Sequence, residues 1–300
     1  MSIPTYLKKG DKVAIICPAS FVQGDLTPAY DILRNWGLEP VIGETVTAHY
    51  HQFAGTDALR AKDLQQALDN PEIKAIIAVR GGYGSVRILD RLDFSAFVKK
   101  PKWLVGFSDI TALHSHIQRQ FAIPTIHGQM IKAFLDASAE SLETLRRALF
   151  GENIDLEFRA ENLPHRNGYG TGILTGGNLA ILQSMLASDS DVDFTDKVLF
   201  IEDVGESFYN VDRMLWTLKR AKKFDGLKGI IVGSFTGMRD SNPSFGQTVP
   251  EIVLDKIAGL DFPVAFGCPA GHIPDNRALI LGQMVTLSVL GDAVSIQYIK

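Results

Sequence analysis

The sequence predicts an α/β fold in two parts: an N-terminal layered domain on a parallel sheet, then a smaller, β-rich α/β domain. Short β-branched runs alternate with amphipathic helical patterns through residues 1–150, as strands and covering helices do in a parallel sheet. A polar stretch of charges and turn formers, residues 151–170, breaks the alternation and reads as a linker. Across residues 171–300, strand-like runs outnumber helical ones and finish in an antiparallel pattern from Leu279 to Ile299.

In the first part the candidate strands are Val13–Cys17, Glu39–Ile42, Ala75–Val79, Trp103–Phe107 and Thr125–His127. Most are unbroken apolar runs, as expected where helices cover both faces of a sheet. Helices are expected over Thr27–Trp36, Thr56–Leu68, Ser85–Leu92, Ile110–Phe121 and Ser141–Phe150, where apolar residues recur nearer to every ~3.6 positions than every ~2. In the second part strands are expected around Val198–Ile201, Gly229–Gly233, Val264–Phe266, Val285–Val289 and Val294–Tyr298, with helices near Gly177–Leu186, Val211–Lys223 and Val249–Ile257. Ligands of such sheets sit beyond the carboxyl ends of the strands.

Composition narrows the function. The chain has 300 residues, of which 46% are hydrophobic, 21% charged and 9% aromatic, the balance of a globular protein rather than a disordered or collagen-like one. With 30 Lys+Arg against 34 Asp+Glu, the net charge of −4 lacks the basic footprint of a nucleic-acid binder. Cys17 and Cys268 both lie in apolar runs, which argues against a disulfide framework and for buried thiols in a reducing compartment. The segment Met1–Gly10 lacks the pattern of a signal peptide, and no apolar stretch reaches the ~18–20 residues of a membrane helix. The expectation is a cytoplasmic protein with neither nucleic acid nor membrane as partner.

Several motifs bear on chemistry. Arg80-Gly81-Gly82-Tyr83-Gly84-Ser85 follows a predicted strand and opens a helix, where a dinucleotide loop would lie. The third glycine of that fingerprint is missing, and neither this stretch nor Gly172-Ile173-Leu174-Thr175-Gly176-Gly177 ends in the Lys-Ser or Lys-Thr of a P-loop. Paired glycines at a helix start can still expose N–H groups to an anion or a developing oxyanion, or form a plain tight turn. Gly106-Phe107-Ser108-Asp109 sets a serine between strand and helix, half of a nucleophile elbow, although Ser108 or Asp109 would also serve as an ordinary N-cap.

A serine nucleophile needs a base, and the seven histidines are the candidates. His114 and His116 are two apart on a predicted helix and face different sides, so they form no metal pair; His49, His51 and His165 lie in polar segments. His272 follows an apolar strand and a tight turn, a setting that presents a side chain, or simply a loop histidine. A carboxylate that orients the base fits Glu202, at the end of a buried-looking strand, with Asp203 and Glu206 as rivals. No metal motif and no cofactor are read from the chain.

Together, Arg80-Gly81-Gly82-Tyr83-Gly84, Gly106-Phe107-Ser108-Asp109, Gly176-Gly177-Asn178-Leu179, Phe200-Ile201-Glu202-Asp203 and Gly271-His272 resemble the LD-carboxypeptidase family of serine peptidases. The motifs fall in the family's order and span most of the chain. The resemblance implies a triad of Ser108 as nucleophile, Glu202 as orienter and His272 as base, meeting between the two domains. It also implies hydrolysis of an L,D-amide bond in a murein tetrapeptide, oxyanion donors near Gly82 and Asp109, and a homodimer. Arg80 is the candidate for the substrate's terminal carboxylate and Asn178 for a substrate hydrogen bond. Phe107 stands where many relatives carry Tyr, and Ile280 where some carry Pro. Phe53-Ala54-Gly55-Thr56-Asp57 resembles the peptidoglycan-recycling members more than the microcin self-immunity peptidases. The alternatives are a microcin-type aminoacyl-conjugate peptidase, a non-catalytic binding module on the same scaffold, and a nucleotide-binding domain using Arg80–Ser85.

Overall fold

The apolar runs become strands because only alternation across two covered faces buries every residue of such a run. The computed structural model describes residues 2–299, and two sheets organise them. The first part contributes β1 (Lys12–Ile16), α1 (Thr27–Asn35), β2 (Glu39–Ile42), α2 (Asp57–Asp69), β3 (Ile73–Ala78), α3 (Ser85–Leu89), α4 (Ser95–Lys99), β4 (Trp103–Gly106), α5 (Thr111–Phe121), β5 (Thr125–His127) and α6 (Ala139–Phe150). Then follow β6 (Leu156–Arg159), β7 (Gly168–Asn178), α7 (Leu179–Ser184), β8 (Lys197–Val204), α8 (Phe208–Arg220), β9 (Gly229–Thr236), α9 (Val249–Lys256), β10 (Val264–Ala265), β11 (Leu279–Leu281), β12 (Met284–Leu290) and β13 (Ala293–Tyr298).

In the first sheet the strands run β2-β1-β3-β4-β5 in parallel, and β11 adds antiparallel to β5 at the edge. Val13, Ile15, Ala75, Ile77 and Val105 pack with Leu33, Phe134 and Leu145 on one face. The residues between them, including Ala14, Ile16, Ile76 and Leu104, pack with Leu64, Leu68, Phe97 and Leu113 on the other. The strand order reverses direction between β1 and β3, and ligands of open α/β sheets bind outside the carboxyl ends at such a reversal. Helix starts are set by side chains: Thr56 accepts a hydrogen bond from the Leu59 N–H at the start of α2, and Ser138 accepts one from the Ser141 N–H at the start of α6.

The second sheet has the order β10-β9-β8-β7-β12-β13-β6. β7 to β10 are mutually parallel, while β12, β13 and β6 are antiparallel. One face packs on α8 through Val211, Leu215 and Leu218. The other carries Phe200, Leu287 and Val289 together with Leu279 and Leu281 of β11, so the edge strand of the first sheet lies in the core of the second. Among the described residues, no helix is long and apolar enough to cross a membrane.

Most predicted elements stand within a few residues of their expected places; α4 is an unexpected short helix, and the other differences concern the joint. Residues 151–170 are more than a linker, because β6 pairs with β13 and β7 begins at Gly168. β7 is the longest strand, yet five glycines hide it from strand propensity. Those glycines answer to close approach: a Cβ on Gly170 would fall on the Lys228 carbonyl, and one on Gly177 would lie 2.6 Å from Thr111 Oγ1. The span 171–300 is not self-contained either, since β11 returns to the first sheet, with Leu279 opposite His127.

Candidate active site

The chain leaves β4 at Gly106 and enters α5 at Thr111, and Ser108 sits in that turn with φ +62°, left-handed backbone unusual for a residue with a side chain. Such a turn lifts a serine side chain out of the strand, and Ser108 is partly exposed. The glycine motif after β3 lies against it. A Cβ on Gly81 would lie 2.9 Å from Ser108 Cβ, 3.0 Å from its Oγ and 3.2 Å from the Asp109 nitrogen, so only glycine lets the two backbones approach this closely. Among the described residues, the N–H groups of Gly82 and Asp109 enter no hydrogen bond with backbone carbonyls across loops and turns.

The Asp109 side chain locks the two motifs together. It is 1% exposed, and Oδ2 accepts a 2.8 Å hydrogen bond from the Ser85 N–H at the start of α3. Burial pushes its carboxyl up, opposed by the N–H groups of Ser85 and Gly84. Arg60, fully buried, reaches the same loop from below: Nη1 donates to the Pro18 carbonyl at 2.6 Å and the Gly84 carbonyl at 2.8 Å, while Nη2 pairs with Asp57. Its guanidinium and that of Arg87 flank the Phe53 ring at 4.9 and 5.0 Å. The Phe53–Asp57 segment therefore braces the Arg80–Ser85 loop.

The imidazole arrives from the other side. Glu202 is 0% exposed on β8, and its Oε2 lies 2.7 Å from His272 Nδ1. A carboxylate partner makes Nδ1–H the donor, which leaves the Nε2 lone pair free to take a proton. The β8–β9 register shifts between Ile201 and Asp203, with one extra residue on β9, while β8 keeps its alternation and puts Glu202 on the same face as Phe200. Gly271, at φ +119°, allows the loop to press on this acid, since a Cβ there would lie 2.8 Å from Glu202 Oε2. The His272 ring meets Phe107 edge to face at 4.8 Å and 66°, next in sequence to Ser108. No hydrogen bond joins Ser108 Oγ to His272 among the described residues, and catalytic contacts of this kind commonly tighten only when substrate binds.

The rival acids face elsewhere. Asp203, one residue on and so on the opposite face, accepts from the Asn178 side chain at 2.9 Å, the Val204 N–H at 2.8 Å and the Ala180 N–H at 3.0 Å, at the start of α7. Burial pushes its carboxyl up to about 6. Glu206 accepts from Asn210. Asn178 is buried and committed: Oδ1 caps α7 by accepting from the Ile181 N–H at 3.2 Å, Nδ2 serves Asp203, and its backbone N–H donates to Thr111 Oγ1 at 3.1 Å. It ties the start of the serine-bearing helix to β7 rather than presenting a free amide. Arg80 is half-buried and donates to the Phe21 carbonyl at 3.1 Å, with no acidic partner among the described residues. Two further residues meet beside the site: Asn276, in a polar loop that gave no sequence signal, and His127, one of the seven candidate histidines, within a short apolar strand; they hydrogen-bond across 149 positions. Among the described residues, no group of three or more His, Cys, Asp or Glu side chains is placed to hold a metal ion.

Comparison with known proteins agrees with this architecture. Residues 13–128 match the family description "LD-carboxypeptidase N-terminal domain" and residues 171–287 match "LD-carboxypeptidase C-terminal domain". A murein tetrapeptide carboxypeptidase of Pseudomonas aeruginosa is 33% identical over 92% of this chain and 92% of its own length. The crystal structure of a muramoyltetrapeptide carboxypeptidase from Oxalobacter formigenes superposes with a TM-score of 0.87 at 27% identity, covering 96% of this chain and 99% of that one. The microcin self immunity protein MccF, in complex with aspartyl sulfamoyl adenosine, superposes with a TM-score of 0.88 at 21% identity over 99% and 98% of the two chains, a likeness of fold.

Proposed function

The chain belongs to the LD-carboxypeptidase family, and from that premise we propose that this carboxypeptidase removes the terminal D-alanine from murein tetrapeptide by a Ser108–His272–Glu202 mechanism. The observation that carries the reading is the 2.7 Å contact between His272 Nδ1 and the buried Glu202, on a ring packed against the residue before Ser108. In this scheme His272 Nε2 takes the hydroxyl proton as Ser108 Oγ attacks the carbonyl of the L,D-amide, and Glu202 stabilises the imidazolium. The N–H groups of Gly82 and Asp109 hold the oxyanion. The imidazolium returns its proton to the departing D-alanine nitrogen, leaving an ester on Ser108. Water, deprotonated by the same imidazole, hydrolyses that ester and regenerates the hydroxyl.

An exopeptidase must recognise a free carboxylate, and Arg80, a half-buried cation beside the glycine turn, is suited to that task. A cytoplasmic location, a place in peptidoglycan recycling and a homodimer complete the proposal, to be tested by cell fractionation, muropeptide profiling of a deletion strain and sedimentation. Mass spectrometry of purified tetrapeptide before and after incubation tests the reaction: loss of one alanine is expected, and an unchanged peptide overturns the substrate. A microcin-type aminoacyl conjugate assayed in parallel discriminates the alternative substrate. Labelling of Ser108 by a fluorophosphonate discriminates an enzyme from an inert binder.

A further inference from the structure

Asn276 is fully buried in the loop between β10 and β11, and its side chain answers to two groups. Oδ1 accepts a 2.8 Å hydrogen bond from the Gly271 N–H and lies 3.2 Å from His127 Nε2. A backbone N–H can only donate, so the amide oxygen must face Gly271, and His127 must then carry its ring proton on Nε2. Burial pushes His127 down to about 3, so the ring is a neutral donor.

His127 stands at the joint between the two halves of the site. On β5 it pairs in register with Gly106, two residues before Ser108, and on its other side with Leu279, the first residue of β11. Its ring packs edge to face on Phe200 at 4.8 Å and against Phe107 at 5.7 Å, and Phe107 in turn packs on His272. Gly271 immediately precedes His272, so the chain of contacts runs from the serine-bearing turn through His127 and Asn276 to the backbone that carries the base.

We propose that His127 and Asn276 are a positioning pair: they fix His272 relative to Ser108 by holding the Gly271 N–H from the sheet that carries the nucleophile. Neither residue touches substrate. The inference rests on the serine-hydrolase reading above.

The test uses the full chain as wild type, His127→Phe, His127→Gln and Asn276→Ala, each checked for cooperative thermal unfolding. Two rates are read: turnover of murein tetrapeptide, resolved into kcat and KM, and labelling of Ser108 by a fluorophosphonate. Because small misplacements of reacting groups cost up to about 10²-fold, His127→Phe and Asn276→Ala are expected to lower kcat and the labelling rate by about tenfold or more, with KM within about twofold. His127→Gln, whose amide N–H reaches where Nε2–H stood, is expected to recover most of both rates. If His127→Phe fails to fold, His127→Asn, too short to reach Asn276, takes its place with the same expectation. Wild-type rates in folded His127→Phe and Asn276→Ala, or no recovery in His127→Gln, overturn the positioning role. Wild-type protein that labels but spares the peptide overturns the substrate alone, and the labelling rates still decide the pair. Wild-type protein inert to both overturns the nucleophile and, with it, this inference.

Discussion

The serine turn and the histidine loop face each other, yet they are built by different means. The turn is a backbone device: Ser108 at φ +62°, Gly81 close enough to touch it, and Gly82 at φ +104°. The loop is held chiefly by side chains, with Glu202 on the imidazole and Asn276 on the Gly271 N–H. Backbone devices use short sequence signatures, because close approach and positive φ strongly favour glycine at fixed positions. Side-chain devices draw on residues far apart in the chain. One half of the site is therefore written locally and the other only in three dimensions.

The most direct way to break this comparison is to remove the groups proposed to react. Ser108→Ala and His272→Ala should each lower kcat by about 10⁶-fold with the fold intact, by analogy with other serine triads; near-normal kinetics in either folded variant rejects the assignment. Glu202→Gln keeps the shape but offers an amide to Nδ1, and a loss of about 10⁴-fold in kcat is expected. A kcat within tenfold of wild type would mean that the imidazole is oriented by something else.

Finer changes sharpen the contrast. Gly81→Ala pushes a Cβ onto Ser108 and the Asp109 nitrogen without a positive φ to violate, so it should cost about 10²–10³-fold in kcat and less stability than a strained φ would. Gly271→Ala strains a φ of +119° and presses on Glu202, so stability should fall as well, by about 1–3 kcal/mol. Equal stability losses in the two variants would erase the distinction.

The smallest expected effects lie away from the reacting groups. The Asp203 carboxyl is pushed up to about 6 from an ordinary 3.8, so the folded protein holds this proton more tightly than the unfolded chain. This group therefore lowers stability progressively as pH rises from about 4 through about 6, and restores it as pH falls back. Asp203→Asn should flatten that slope in thermal melts, and an unchanged slope would reassign it. Chelation should leave turnover unaltered; loss on chelation with recovery on added zinc would count against the serine scheme.

The same contrast explains what the sequence disclosed. Apolar runs announced most strands of the first sheet, and Gly106-Phe107-Ser108 and Arg80–Gly84 announced the turn, because burial and close approach restrict residue type at consecutive positions. β7 went unread because its glycines serve contacts with Lys228, Phe200 and Thr111 rather than strand propensity. Asn178 looked like a substrate ligand because nothing local tells a capping amide from a binding one. Glu202 and Asp203 were neighbours of equal appearance until the strand turned them to opposite faces. Asn276 and His127 are legible only once β11 lies beside β5.

That return of β11 sets how the molecule can be divided. The segment bearing His272 is anchored at one end by β10 in the second sheet and at the other by β11 in the first, like a strap buckled to both halves of a case. A cut near residue 170 would yield no pair of modules free to be exchanged or recombined. The fragment with the acid and the imidazole would carry off the border strand of its counterpart, and the serine fragment would be left with an open seam beside His127.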